Sequence, residues 1–176
     1  MTSHANIQAY QPINHGENHM NIFILDYNVE ECAKAHCDKH VSKMILESAQ
    51  LLCTAINVLA GEQVTPYKTT HTNHPCAKWA RESNSNAIYL YELMSQLNQE
   101  YYFRYGRQHL SYLKLEENKI FDLILKYLPK GEFTTPALAM PDEYKTSNVV
   151  ESYRNYYREA KQHLHVWAKR GQPAWL

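Results

Sequence analysis

Histidine, lysine and glutamate side chains recur at helical spacing early in the chain. An uninterrupted helix would carry positions i, i+4, i+7 and i+11 of this segment on one face. A carboxylate beside an amine or an imidazole is how acid–base and Schiff-base sites are assembled. The pattern predicts catalytic roles for Glu47, Lys43, Lys39 and His40, with His36 contacting the substrate. An ordinary solvated helix face is the alternative interpretation.

The same two histidines also have the spacing of a helical zinc pair. His36 and His40 are four residues apart, but the zinc motif requires a glutamate directly after the first histidine, and Cys37 stands there. A third ligand, such as His74 or Cys76, would have to come from another segment. The sequence therefore predicts no cofactor, with zinc as the alternative.

A second polar cluster runs from a loop into the start of a predicted helix. Free backbone N–H groups at a helix N-terminus attract phosphate or carboxylate, and an aromatic ring nearby offers a stacking surface. The predicted substrate-binding residues here are His71, Asn73, His74, Trp79 and Arg81. In the alternative interpretation His74 and Pro75 cap the helix and Trp79 belongs to the core.

Further candidate binding residues pair aromatic rings with cations, a pattern suited to contacts with phosphates and bases. Arg104 and Tyr105 lie at a predicted helix end, Lys145 lies in the string MPDEYK, and Arg154 lies on the last predicted helix. Core aromatics with cations favourable at a helix C-terminus are the alternative.

Helices must position these residues, because the chain of 176 residues contains only 5 glycines and its apolar residues recur every three or four positions. The prediction is an all-α, compact single-domain bundle (residues 20–176) of about four main helices. Met20–Leu25 is predicted as a short extended segment packed on the helices, and residues 1–19 as a flexible extension. The predicted helices span 28–60 with a possible break near Cys37–Asp38, 75–105, 111–128 and 148–170, with 131–147 irregular.

Charge and composition narrow the function classes. The formal net charge is zero, which excludes a protein that coats nucleic acid through bulk charge. Residues 67–114 and 126–176 nevertheless each carry a net charge of +3, so a local basic face is predicted. No stretch reaches the ~18 consecutive apolar residues of a membrane span. The polar first 19 residues and the four cysteines without a C-x-x-C pair indicate a reducing cytoplasmic setting.

Two of these motifs together resemble the pyrimidine-dimer DNA glycosylase family of the phage endonuclease V type. The first is the apolar segment Met20–Leu25 leading to His40 and, seven residues later, Glu47. The second is Asn73-His74-Pro75 with Trp79 and Arg81, followed by a helix that ends in Arg104-Tyr105-Gly106. The chain is also similar to phage proteins that carry the strings HCDKHVxKM, NHPCxxWxR and MPDEYK, over nearly everything after Met20.

The resemblance implies a compact helical fold and attack by an amine on the sugar C1′ of a damaged nucleotide, forming an imine. Carried over, Glu47 takes the role of the family's assisting glutamate, and His40 that of the histidine beside it. The family uses its N-terminal amine, whereas 19 residues precede Met20 here. The amine is therefore that of a chain starting at Met20, or it belongs to Lys39 or Lys43.

The predicted function is that of a phage-type DNA-processing enzyme with glycosylase or lyase chemistry on a pyrimidine nucleotide or modified base. It would bind DNA or a nucleotide through the local basic face, in the cytoplasm of an infected bacterial host and not at a membrane. One alternative is an enzyme that modifies or hydrolyses a nucleotide or nucleotide-like signal. Another is a non-enzymatic phage protein that binds nucleic acid or a host factor.

Overall fold

The computed structural model describes residues 20–176, which form α-helices, two short 3₁₀ turns and connecting segments, with no β-strand among them. The all-α prediction is confirmed for this part of the chain, and the predicted extension, residues 1–19, lies outside it. The helices are α1 (Val29–Ala35), α2 (Asp38–Ala60), α3 (Pro75–Glu82), α4 (Asn84–Tyr105), α5 (Leu110–Glu117), α6 (Ile120–Tyr127) and α7 (Val149–Ala160). The 3₁₀ turns are Asp142–Tyr144 and Gln162–Leu164.

The four predicted helices are broken or shortened, which is why residues 20–176 contain seven α-helices. The break between α1 and α2 falls at His36–Cys37, where the sequence suggested one. Ser83 separates α3 from α4 because its hydroxyl accepts the N–H of Asn86 and caps α4. Lys119, with a left-handed φ of 51°, separates α5 from α6.

The fourth predicted helix ends at Ala160, ten residues before its predicted end. The chain that follows fills the break between α1 and α2: the N–H of Asp38 donates to the carbonyl of Val166 at 2.8 Å. The indole Nε1 of Trp167 donates to the carbonyl of Ala35 at 2.9 Å. Backbone groups left open by the break are thus paired with the tail, and a continued α7 could not supply these partners.

The longest helix, α2, forms the centre of the core and packs against α3, α4, α5 and α6. It is long and apolar enough to cross a membrane by length and composition, but 67% of its most apolar window is buried inside the protein. Burial among neighbouring helices is what a core helix of a globular domain requires. The apolar face of α2 is accordingly used for internal packing.

The extended segment Met20–Leu25 is buried across the helices, as predicted. It has no strand partner, so side chains satisfy its backbone: Arg154 on α7 donates to the carbonyl of Leu25 at 2.8 Å. The Asn21 amide donates to the carbonyl of Ala139 at 2.8 Å. These contacts join the segment to the irregular stretch before α7 and bring it over α2.

Candidate functional site

Glu47 lies on α2, directly beneath the extended segment. Only 6% of the residue is exposed, and its Oε2 has no hydrogen-bond partner among residues 20–176. Burial raises the pKa of this carboxyl from 4.5 to about 7, against smaller lowering effects from Lys43, the Asn21 backbone N–H and Lys161. A carboxyl that titrates near neutral pH can both give and accept a proton, as a general acid–base catalyst must.

Lys43 and Lys161 act on this carboxyl, and Lys39 joins them in acting on the neighbouring His40. Lys39 and Lys43 are exposed on α2, while Lys161 caps the C-terminus of α7. Lys39, Lys43 and Lys161 form no ion pair within the described part of the chain, although other basic residues there do. Of these three lysines only Lys161 lies in residues 126–176, one of the two segments from which the sequence predicted a basic face. Lys161 carries no motif, and its place here depends on how α7 packs.

His40 lies about one helical turn before Lys43 on α2 and is buried in an aromatic cluster. Its ring stacks on Phe23 with centroids 4.5 Å apart, and its Nδ1 is 2.7 Å from the Tyr157 hydroxyl. Burial, together with the charges of His36 and neighbouring lysines, lowers the pKa of His40 from 6.5 to about 2, so its ring is neutral. His40 thus holds Phe23, and with it the segment that carries Asn21 over Glu47.

His36 does not lie on the helix face that carries His40, Lys43 and Glu47. It caps the C-terminus of α1 instead of lying on α2. The residue has no exposed surface; its Nδ1 is 2.7 Å from the Cys32 carbonyl, and its Nε2 has no partner among the described residues. Burial lowers the pKa of His36 from 6.5 to about 4. The predicted substrate contact would require access that this position does not offer.

The zinc alternative depends on three or more donor side chains meeting. Within residues 20–176 there is no group of three or more His, Cys, Asp or Glu residues that could hold a metal ion. The Nδ1 atoms of His36 and His40 are both engaged, with the Cys32 carbonyl and the Tyr157 hydroxyl.

The start of α3 adjoins the Glu47 carboxyl. The Cys76 thiol faces the backbone N–H of Ile22, next along the chain from the Asn21 N–H that faces Glu47. Burial raises the pKa of Cys76 to about 12, so the group is a neutral thiol. The two motifs that the sequence singled out, on α2 and before α3, are thus neighbours in space.

Most polar groups of the loop before α3 maintain the loop itself. The Nδ1 of His74 accepts the N–H of Cys76 at 3.1 Å, and Arg81 donates to the carbonyl of Thr72 at 2.7 Å. His71 pairs with the Thr70 hydroxyl, while Asn73 is exposed. His74 therefore caps the N-terminus of α3, as the alternative interpretation of this motif predicted.

Trp79 belongs to the core, as the alternative interpretation of this motif had it. The residue is 3% exposed, its Nε1 donates to the carbonyl of Thr134 at 3.1 Å, and its ring meets Tyr89 and Phe133 edge-on. The indole therefore presents no open face for a base to stack on.

Arg104 and Tyr105 lie at the end of α4, in a different group of contacts. The guanidinium of Arg104 has no exposed surface and pairs with Glu100 and Asp38, both at 2.9 Å. Tyr105 is 41% exposed and packs against Tyr101. Arg104 ties α4 to the start of α2, and its charge is already matched by two carboxylates.

The two remaining predicted cations are also paired within the protein. Lys145 lies 2.8 Å from Asp142 within its own turn, on the surface. Arg154 lies 3.0 Å from Asp26, and its guanidinium stacks over Trp175. Arg154 therefore anchors the extended segment rather than facing outward for a phosphate.

Two cavities open elsewhere on the described surface. One of about 200 Å³ lies between α1 and α4, beside Glu100, Phe103 and Arg170. The other, of about 510 Å³, is a shallow depression lined by Arg158, His165 and the C-terminal residues. Glu47 lines neither of these two cavities.

Comparison with known proteins found no matching protein-family model, curated protein or solved structure.

Proposed function

We propose that this protein is a DNA-processing enzyme with glycosylase or lyase chemistry on a pyrimidine nucleotide or modified base. The observation that carries the proposal is the buried Glu47 carboxyl, with its pKa raised by burial to about 7, beneath lysines that have no acidic partner among residues 20–176. An acid–base group beside an amine is the minimum that imine chemistry at a sugar carbon requires.

In this reaction an amine nitrogen bonds to C1′ of the sugar while the bond from C1′ to the base breaks. The protonated form of Glu47 supplies the proton that the departing base needs. The ionised form then accepts a proton from the bonded nitrogen and passes it to the ring oxygen O4′ as the C1′–O4′ bond breaks and the protonated imine forms. A carboxyl with an ordinary pKa would be almost wholly ionised at neutral pH and would perform only the second of these steps.

Lys43 is the favoured amine in the described chain, because it lies one helical turn before Glu47 and is exposed. Lys39 lies one turn further away. An α-amine is the other candidate, because the backbone N–H of Asn21 faces the Glu47 carboxyl. A chain that starts at Met20 would carry its α-amine one residue from that contact.

The substrate is proposed to be DNA or a nucleotide, because both carry phosphate groups that the positive charge beside Glu47 would attract. Phosphate groups are the anions that such a cluster of ammonium groups would hold. A chain with zero net charge would not track along duplex DNA by charge alone. Its place of action is proposed to be the cytoplasm of an infected bacterial host.

Borohydride reduction tests this function, because it converts a transient imine into a permanent bond. The protein is mixed with duplexes containing one abasic site or one thymine dimer, and the adduct is measured on a gel. We expect a trapped adduct, at least tenfold less of it with Glu47→Gln, and little with Lys43→Ala if that amine is the nucleophile. Mass spectrometry of the adduct then identifies the bonded amine.

The matched control is Lys126→Ala, since Lys126 is an exposed lysine on α6. The same assay on a chain starting at Met20 separates the α-amine from the lysines. If neither chain is trapped on any substrate, the glycosylase–lyase proposal is wrong. Hydrolysis or modification of a nucleotide, or binding without turnover, would then be the functions to test.

A further inference from the structure

Lys39, Lys43 and Lys161 form a positive cluster at the Glu47 site, and none of them has an ion-pair partner within residues 20–176. Lys39, Lys43 and Lys161 all act on the neutral ring of His40, and Lys43 and Lys161 also act on Glu47. Six other basic side chains of residues 20–176 form ion pairs with carboxylates, among them Arg104 with Asp38 and Glu100. Like charges gathered without a counter-charge repel one another, so the cluster favours an anionic ligand.

Lys161 differs from the other two lysines because aromatic packing fixes its ammonium group. Its Nζ lies 4.7 Å from the centroid of the Tyr156 ring, a cation–π contact. The Tyr156 ring is itself packed against Tyr144, with centroids 5.3 Å apart, and against Phe23 at 6.2 Å. Lys161 is therefore held in place, whereas Lys39 and Lys43 extend from α2 into solvent.

The same aromatic contacts connect Lys161 with the acid–base group. Phe23 contacts Tyr156 on one side and stacks on His40 on the other, at 4.5 Å. His40 lies on the helix that carries Glu47, and Phe23 lies two residues after Asn21, whose backbone N–H faces Glu47. The MPDEYK turn thus supports Lys161 through Tyr144, a role that no proposed catalytic step assigns to it.

We propose that Lys161 is a phosphate-binding residue of the Glu47 site, held in position by Tyr156, and that the ligand of this site is a phosphate ester. This inference rests on the proposed function in one respect: both concern the site around Glu47. Binding and chemistry can be measured separately. A phosphate held by Lys161 would come from either a nucleotide or a DNA strand, and the probes below distinguish the two.

Binding is measured by calorimetry on the full chain carrying Glu47→Gln, so that turnover does not interfere. The probes are thymidine, thymidine 5′-monophosphate and a five-residue thymidine oligonucleotide. We expect the monophosphate to bind at least tenfold more tightly than thymidine, with the advantage lost in high salt. Tighter binding of the oligonucleotide indicates a DNA strand, and equal binding indicates a free nucleotide.

Lys161→Gln is expected to weaken binding of the monophosphate about tenfold, the usual loss for one charge-assisted hydrogen bond. The matched control is Lys126→Gln, because Lys126 makes the same kind of contact with a tyrosine ring, at 4.9 Å, on α6. That variant is expected to bind as tightly as its parent. A loss of equal size in both variants would overturn the assignment of Lys161.

Tyr156 is proposed as a positioning residue, and two substitutions test that role. Tyr156→Phe keeps the ring beneath the ammonium group and is expected to bind the monophosphate normally. Tyr156→Leu removes the cation–π contact and is expected to weaken binding several-fold at unchanged thermal midpoint; if its midpoint falls, Lys161→Gln decides instead. Equal binding of thymidine and its monophosphate overturns the inference, whereas failure of borohydride trapping alone overturns only the proposed chemistry.

Discussion

Glu47 should make the protein less stable as the pH rises, and replacing it with glutamine should remove that effect. Burial holds the pKa of the folded-state carboxyl at about 7, compared with 4.5 in the unfolded chain. Between these two values the folded protein retains a proton that the unfolded chain releases. The free energy of unfolding therefore falls as the pH rises through this window.

The size of the effect follows from the separation of the two pKa values. A difference of one in pKa corresponds to about 1.4 kcal/mol. The interval from 4.5 to about 7 therefore corresponds to about 3 kcal/mol of stability lost by pH 8. Glutamine carries no charge at any pH, so Glu47→Gln should gain this amount relative to the wild type.

The assay is urea unfolding followed by circular dichroism, for wild type and Glu47→Gln, at intervals from pH 4.5 to 8. Other titrating groups affect both proteins alike and cancel in the difference when they are not coupled to Glu47. In Glu47→Gln the side-chain amide occupies the position where Oε2 has no partner. Any loss of stability from that amide is the same at every pH, so it shifts the stability difference between the two proteins without changing how that difference varies with pH. We expect the difference between the two proteins to grow by about 3 kcal/mol across the range.

Glu62→Gln is the matched control, since Glu62 is an exposed glutamate just beyond the end of α2. Water solvates that carboxylate in the folded and unfolded states, so its difference from the wild type should stay flat. A flat difference for Glu47→Gln as well would show that the carboxyl is solvated. The acid–base role proposed for Glu47 would then lose its physical basis.

Two further predictions concern buried groups away from the Glu47 carboxyl. Arg104→Met should lower the free energy of unfolding by about 3 kcal/mol in urea titrations, because it leaves Glu100 and Asp38 short of a counter-charge. Arg170→Met should cost less, since that side chain is 32% exposed, and equal losses would contradict the argument. His36→Gln should flatten the fall in stability of the wild type as the pH drops from 6.5 towards 4, because burial keeps His36 neutral in the folded state. An unchanged slope over that window would mean that the imidazole is not desolvated.

The periodicity of the sequence determined the helical class and the place of Glu47, Lys43 and His40 on one helix, and a short apolar run indicated the extended Met20–Leu25 segment. These are local properties, because a helix fixes the relation of residues three or four apart whatever surrounds it. The break before α2 was also visible in the sequence. The breaks at Ser83 and Lys119 were not predicted, although Ser83 lies in a Ser-Asn-Ser run typical of a helix cap, because the apolar spacing continues through both.

Only the tertiary structure decided which candidate residues share a site. Arg104 and Trp79 have residue types suited to binding nucleotides, yet packing of distant segments buries both. Lys161 carries no motif, and only the packing of α7 against α2 brings it to Glu47. The raised pKa of Glu47 has the same origin, since desolvation depends on the segment that crosses over the carboxyl. Spacing along a helix therefore specified the catalytic candidates, while burial and charge, which depend on long-range packing, selected among them.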